Sequence, residues 1–262
     1  MKNKILVFGH RGVGETHLEN TMTGFQMAID AKVDGLETDI QMTSDGHLIL
    51  VHDSKVDRTT NGTGLVAEKT LSEIRELTIG QGEKTPLLSD LFDLASRYPS
   101  LLLNLEIKVY PDVEGEAWTS EVIDKTIQML EEYDLAERSV FTSFSSWVLA
   151  YIDKNYSGKY KLQGFYPYSV MREKEAPDAK LFSVCMYNIL HDENGRQLHT
   201  EGQVCPKEWF DSLIADDIEP WLSTGVKSKE ELASALIRGG CLVTSDEPQT
   251  TLSYLRSIGA HI

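Results

Sequence analysis

Cysteine is scarce in this chain: 262 residues hold three, Cys185, Cys205 and Cys241. They are odd in number, scattered, and in no metal-ligand spacing. That argues against a disulfide framework and a thiolate metal centre, and sets a reducing, cytoplasmic environment as the expectation. Long apolar runs are also missing, so no stretch is long enough to span a bilayer. Lys2 and Lys4 followed by Ile5-Leu6-Val7-Phe8 look superficially like a leader. The apolar run is too short for one, and Gly9, His10 and Arg11 follow at once, so we read a first strand there. No Pro- or Gly-rich linker, low-complexity tract or repeat motif divides the chain. Cations are few as well, 25 Lys and Arg against 41 Asp and Glu, for a net charge of −16. Such a surface repels nucleic-acid phosphates and anionic headgroups at long range, so neither nucleic acid nor stable membrane association is expected. A small anion stays available as a substrate if metal and local cations reverse the field inside a cleft.

What is present is an alternation of strand-like and helical patterns almost from end to end, the signature of a parallel α/β fold. Strands are expected at Lys4–Gly9, Gly35–Gln41, His47–His52, Leu101–Lys108, Ser139–Phe144, Lys159–Phe165, Lys180–Cys185, Ile218–Ser223 and Cys241–Ser245. Helices are expected at Thr21–Ala31, Leu87–Arg97, Thr119–Tyr133, Ser146–Lys154, Pro206–Ile214, Lys229–Arg238 and Gln249–Ile258. Asp45-Gly46 between two alternating runs is a hairpin signal. It makes His47–His52 antiparallel to the strand before it and leaves eight strands for a (β/α)8 TIM-type barrel. A doubly wound open sheet is the alternative, and the count favours closure. The chain 1–262 then reads as one barrel domain with a β-hairpin extension and a small insertion at about 53–81, which carries a short helix near Leu71–Leu77. If Asp45-Gly46 forms a two-residue turn, Ser44 faces His47 and Asp39 faces His52.

Strand periodicity puts Glu37, Asp39 and Gln41 on one face, and Asn104, Glu106 and Lys108 on one face of a later strand. Parallel strands covered on both sides should read as apolar runs. Here acids recur at alternate positions, and burying them is costly unless they are paired or hold a cation. A buried ionic network is the plain alternative, but three carboxylates with a single lysine leave negative charge uncompensated. Oxygen-only ligands favour one divalent cation, Mg²⁺ or Ca²⁺. His10-Arg11-Gly12 ends the first strand, where barrel active sites open. Arginine suits a phosphate, and glycine allows close backbone approach. His10 with His52 fits a general acid–base pair for P–O cleavage.

Taken together, His10-Arg11-Gly12, Glu19-Asn20-Thr21, Glu37-x-Asp39, Thr43-x-Asp45-Gly46, His52-Asp53 and Glu106-Ile107-Lys108 resemble the glycerophosphodiester phosphodiesterase family. The resemblance is most specific over residues 9–64, where Arg58-Thr59-Thr60-Asn61-Gly62 also fits, and returns at 104–108 and Thr142-Ser143-Phe144. It implies a TIM barrel with a small insertion after the His-Asp motif. It further implies His10 and His52 as the acid–base pair, Glu37, Asp39 and Glu106 as metal ligands, and Arg11 and Lys108 as phosphate-contacting cations. Glu19 and Asn20 match a supporting motif at the substrate. The chain departs from the family at Leu18, where proline is common, and at Trp221-Leu222-Ser223-Thr224. Its final Thr-Asp motif is also shifted, to Thr244-Ser245-Asp246.

The expected activity is metal-dependent hydrolysis of a glycerophosphodiester to glycerol 3-phosphate and an alcohol. The nucleophile is either water or the substrate's own neighbouring hydroxyl, which would pass through a cyclic phosphate. A lysophospholipase D-like phosphodiesterase and a non-catalytic phospholigand-binding barrel are the rivals. Retention of both histidines speaks against the second. Trp221, at a strand end, either covers a glycerol carbon face or belongs to the core, and Tyr166-Pro167-Tyr168 is expected to shape the pocket rim. His191-Asp192-Glu193-Asn194-Gly195 reads as a polar turn. His17, His47, His199 and His261 have no partner that the sequence identifies.

Overall fold

The computed structural model describes residues 4–14, 18–80, 82–187, 205–224 and 228–261, together with the backbone of 190–191 and 197–198. Barrel strands lie at β1 (Leu6–Gly9), β2 (Gly35–Met42), β4 (Leu102–Ile107), β5 (Ser139–Thr142), β6 (Lys161–Tyr166), β7 (Ser183–Met186), β10 (Glu219–Leu222) and β11 (Leu242–Ser245). Three short antiparallel strands stand outside that set, β3 (Leu48–Leu50), β8 (Leu190–His191) and β9 (Gln197–Leu198). The order β1-β11-β10-β7-β6-β5-β4-β2 is parallel throughout, and β2 returns to β1, so the sheet closes. The expected barrel is the fold.

Helices α1 (Met22–Asp30), α2 (Leu71–Glu76), α3 (Leu88–Ser96), α4 (Glu116–Glu132), α5 (Ser146–Asn155), α6 (Lys207–Ala215), α7 (Lys229–Arg238) and α8 (Pro248–Ser257) fill most of the connections. Side-chain caps fix several starts. Thr21 accepts the Gly24 amide, Ser145 accepts that of Val148, and Thr70 with Glu73 and Ser228 with Glu231 form capping boxes. The link from β6 to β7 departs from the pattern, with only a 3₁₀ turn at Tyr168–Val170. The β8–β9 pairing was not anticipated. Its register pairs Leu190 with Leu198 and His191 with Gln197, while residues 192–195 of the expected turn lie outside the described residues.

Alternate residues of the barrel strands face outward. Leu36, Ile40, Leu103, Leu105 and Ile107 pack with Phe25, Phe92 and other helix residues in the main core. Each such aromatic or aliphatic side chain contributes roughly 1.5–3 kcal/mol on burial. Inside the barrel, Phe8, Val140, Trp221 and Leu242 form a separate apolar plug. Beyond it lies a polar belt. Asn104 Nδ2 donates to Gln163 Oε1 at 3.0 Å, Gln163 Nε2 donates to Ser183 Oγ at 3.0 Å, and the Thr142 hydroxyl donates to Asn104. These amides and hydroxyls are buried but mutually satisfied, which makes their burial tolerable.

The hairpin differs from expectation by one residue. Met42 pairs with Leu48 and Thr43 N donates to His47 O, so Ser44-Asp45-Gly46 is a three-residue loop. Gly46 N closes the turn on Thr43 O, and Gly46 takes φ +84, a left-handed conformation that favours glycine and adds the extra residue. Val51 rather than His52 therefore lies opposite Asp39, with Val51 N donating to Asp39 O at 3.0 Å. Across β3, Leu48 and Leu50 join the main core. Ile49, with Val51, joins Val56, Val66 and Ile74 in a small second core under the segment that follows.

Candidate active site

Register brings the acids together. Glu37 pairs with Asn104 and Asp39 with Glu106 on neighbouring parallel strands, so side chains spaced two apart on each strand point into the barrel interior beside one another. One oxygen from each of Glu37, Asp39 and Glu106 lies within 4.8 Å of the others, and all three residues are buried. At that 4.8 Å separation and an effective dielectric of about 20, each pair of like charges repels by roughly 3–4 kcal/mol.

Two cations answer part of this charge. Lys108 Nζ lies 2.7 Å from Glu106 Oε1 and 3.6 Å from Asp39 Oδ1, and Arg11 Nε lies 3.2 Å from Asp39 Oδ2. The backbone amide of Arg11 donates to Glu37 Oε2 at 2.9 Å. Arg11 thus adds a compensating charge that the sequence count did not include. Even so, Glu37 Oε1, Asp39 Oδ1 and Glu106 Oε1 meet no well-directed hydrogen-bond donor, although Lys108 stands at ion-pair distance from the latter two. A buried carboxylate oxygen left in that state on each of three converging acids suits a hard divalent cation.

The charges move the titrations. Burial, with the Asp39 carboxylate beside it, pushes Glu37 up to about 7. Burial would raise Asp39 too, but Lys108 and Arg11 hold it below the ordinary carboxylate value. Burial acts to lower His10, and Glu37 together with the Asp246 hydrogen bond outweighs it, so the net shift is upward.

Both histidines reach the same cavity, which measures about 240 Å³ and is lined on its ionic side by His10, Arg11, Glu37, His52, Glu106 and Lys108. His10 follows β1, with Nδ1 2.6 Å from Asp246 Oδ1 and Nε2 3.8 Å from Glu37 Oε2. His52 follows β3, where Gln41 Nε2 sits within 3.1 Å of the carbonyls of Val51, His52 and Asp53 and holds the chain as it turns away. Its Nδ1 lies 2.6 Å from Asp53 Oδ1. Each ring therefore spends Nδ1 on a carboxylate, leaving Nε2 for chemistry. The opposite wall is aromatic: Phe144 stacks on Phe165 with centroids 3.5 Å apart, and Tyr187 meets both edge-on. Cys185 also lines the cavity, but burial pushes its thiol up and keeps it protonated.

Several expected residues stand elsewhere. Glu19 and Asn20 lie behind the lining. Glu19 Oε1 pairs with Arg11 Nη1 at 3.2 Å, and Asn20 donates from Nδ2 to Asp39 Oδ2 at 2.8 Å while accepting from Thr38 Oγ1. They brace the site rather than line it. Trp221 is not at the cavity; it belongs to the apolar plug, edge-on to Phe8 at 5.5 Å, with Nε1 donating to Glu219 Oε2. In register with Leu242 of the plug, and two residues before Ser223, which does line the cavity, it sits one layer below the opening. Tyr166 and Tyr168 pack on each other and Tyr166 on Trp209, outside the cavity lining. A Gly12 side chain would strike the backbone of Gly24 at 2.8 Å, so the close approach there is to α1. His261 binds Asp34 at 2.9 Å and His47 lies 3.9 Å from Asp45, while His17 and His199 fall outside the described residues.

Asp246, Asp53 as a partner for His52, Arg58, and the aromatic wall were not assigned from sequence. A carboxylate immediately after His52, and another just beyond the last strand, were the available signals.

Residues 10–198 match the sequence model of the Glycerophosphoryl diester phosphodiesterase family. A glycerophosphodiester phosphodiesterase from Caldanaerobacter subterraneus subsp. tengcongensis is 31% identical across 98% of this chain and 100% of its own. The structure is similar to a phosphodiesterase from Oleispira antarctica solved with the product sn-glycerol-3-phosphate, with a TM-score of 0.77, 22% identity and 97% of each chain covered. A glycerophosphodiester phosphodiesterase from Parabacteroides distasonis superposes with a TM-score of 0.75 at 18% identity, covering 99% of this chain and 100% of that one.

Proposed function

Because the chain belongs to the glycerophosphoryl diester phosphodiesterase family, we propose that it hydrolyses glycerophosphodiesters to glycerol 3-phosphate and an alcohol. One divalent cation, Mg²⁺ or Ca²⁺, and two histidines take part. The observation that carries this reading is the trio of buried carboxylates, each with an oxygen lacking a well-directed donor, set beside two histidines on the ionic side of one cavity.

Glu37, Asp39 and Glu106 would hold the cation, which when bound supplies Lewis acidity toward a phosphate oxygen. Arg11 and Lys108 offset the phosphate charge that grows in the transition state. One histidine Nε2 takes the proton of the attacking hydroxyl as its oxygen bonds to phosphorus. The other gives a proton to the leaving oxygen as its P–O bond breaks. The same pair serves a water nucleophile or the neighbouring glycerol hydroxyl; in the latter case water opens the cyclic phosphate.

The cavity of about 240 Å³ lies below the roughly 300–1,000 Å³ of pockets that take drug-sized ligands, which supports a small diester over one bearing a long acyl chain. The reading treats 1–262 as one catalytic barrel with an insertion at about 53–81, acting in the cytoplasm on a small-molecule substrate. No described helix is long and apolar enough to cross a membrane. The test is turnover of glycerophosphocholine and glycerophosphoethanolamine with and without a chelator. Release of glycerol 3-phosphate that stops on chelation is expected. No turnover of either diester by folded, metal-loaded protein would sink the reading.

A further inference from the structure

Arg58 opens Arg58-Thr59-Thr60-Asn61-Gly62, a run to which the catalytic reading gives no role. Its guanidinium bridges two carboxylates. Nε lies 2.7 Å from Asp53 Oδ2 and Nη2 3.2 Å from Asp53 Oδ1. On the other side, Nη1 lies 2.6 Å from Glu19 Oε2 and Nη2 2.7 Å from Glu19 Oε1. All three nitrogens are committed to acids, and Arg58 does not line the cavity.

Each bridged acid governs a residue that does line the cavity. Asp53 accepts from Nδ1 of His52, and Glu19 pairs with Nη1 of Arg11. Glu19 is buried, so its two oxygens need partners, and the planar fork of an arginine meets both at once. Asp53 is half-exposed and sits on the chain just after β3, free to swing unless something holds it. We propose that Arg58 is a positioning residue: it fixes the carboxylate that orients His52 and, through Glu19, sets that histidine relative to Arg11.

The arrangement makes one guanidinium the common point of two loops, the one after β1 that carries Arg11 and Glu19 and the one after β3 that carries His52 and Asp53. A lysine cannot reproduce it, because a single ammonium lacks the planar fork. Hydrogen bonds from Arg58, with that of His52, also hold Asp53 down to about 2, so the carboxylate stays ionised and keeps its grip on Nδ1.

The inference rests on the catalytic reading of His52, and the test separates the two. In Arg58→Ala we expect unchanged metal content and a kcat about 10- to 100-fold lower, by analogy with the loss of outer partners of metal-bound histidines. Placed in the His52→Ala background, the same change should cost clearly less than in the parent, since there is no ring left to orient and only Arg11, through Glu19, remains to be held. Arg58→Lys should recover only part of kcat. Nitrogen-15 spectra of the histidines should show His52 as a single Nδ1–H tautomer in the parent and a mixture in Arg58→Ala. If Arg58→Ala does not fold, Asp53→Asn, which keeps the shape but drops the charge Arg58 grips, is measured in the same two backgrounds. Unchanged kcat in Arg58→Ala or Asp53→Asn, an equal loss with and without His52, or full recovery by lysine overturns the proposal. A fully active His52→Ala overturns the catalytic reading and this proposal together. An inactive His52→Ala beside an unimpaired Arg58→Ala overturns this proposal alone.

Discussion

Nδ1 of His10 lies 2.6 Å from Oδ1 of Asp246, a contact between residues 236 positions apart in the chain. Closure of the barrel makes it: β1 and β11 are hydrogen-bonded neighbours, with Gly9 in register with Ser245, so the residues that follow them emerge side by side. Asp246→Ala should free the His10 ring to rotate and lower kcat about 10- to 100-fold. Metal content should stay unchanged by elemental analysis. Normal turnover would assign Asp246 to the loop alone.

Removing either histidine should be more severe. His10→Ala and His52→Ala are each expected to lower kcat by roughly 10²–10⁴. The double variant should fall short of the product of the two losses, because groups acting as a unit are not additive. Single-turnover measurements with folded, metal-loaded protein decide the matter. A strictly multiplicative double variant would point to two independent roles.

Chelation should abolish activity, and Mg²⁺ or Ca²⁺ should restore it. Glu37→Ala should bind metal so weakly that excess cation rescues it only in part, whereas the histidine variants retain their metal. Full activity of the chelated enzyme would remove the cation from the reaction.

Metal affinity should depend on pH through Glu37. In the metal-free protein that group sits at about 7 against 4.5 ordinarily, so between those values the folded state binds a proton the unfolded chain has lost. The metal-free protein therefore loses stability as pH rises through that window, by on the order of 3 kcal/mol at most. A cation favours the ionised carboxylate, so its affinity should climb toward pH 7 and then level off. Calorimetry in two buffers of different ionisation enthalpy should detect proton release on metal binding near pH 6. An affinity flat from about pH 5 to 8 would count against it.

Trp221→Ala should act on stability rather than on substrate. Truncating a buried tryptophan costs about 3–5 kcal/mol, read as a shift in the denaturant midpoint, with KM unchanged. A raised KM in stable protein would return Trp221 to the site.

The barrel and the convergence of the acids at the candidate site were legible because each rested on local order. Strand alternation exposed Glu37, Asp39, Glu106 and Lys108, and β2 and β4 pair so that those positions coincide. The failures have a common physical origin. A two-residue and a three-residue hairpin share the Asp-Gly signal; the two-residue turn needs positive φ at Asp45 as well as Gly46, and here only Gly46 takes it. Trp221 looked like a site residue because it ends a strand in sequence, yet the stagger of β10 against β11 leaves it in the plug. Asp246 gains its meaning from His10, 236 positions away, and Arg58 from Glu19 as well as nearby Asp53, and no periodicity encodes either.

The loop Ser44-Asp45-Gly46 touches no substrate, yet it determines how many residues of β3 are consumed before His52 is delivered. Losing or gaining one residue there would slide the return strand one step along β2, carry Leu48 and Leu50 from the main core to the small one, and turn His52 from the cavity. The segment beyond Asp53, fastened at its tip by Ser44 N to Lys69 O and by Asp45 to the Leu71 amide, closes around that same loop. Among descendants of this chain, changes of length should therefore accumulate in exposed stretches such as the one near Val113, while a three-residue hairpin tip persists even where its side chains drift.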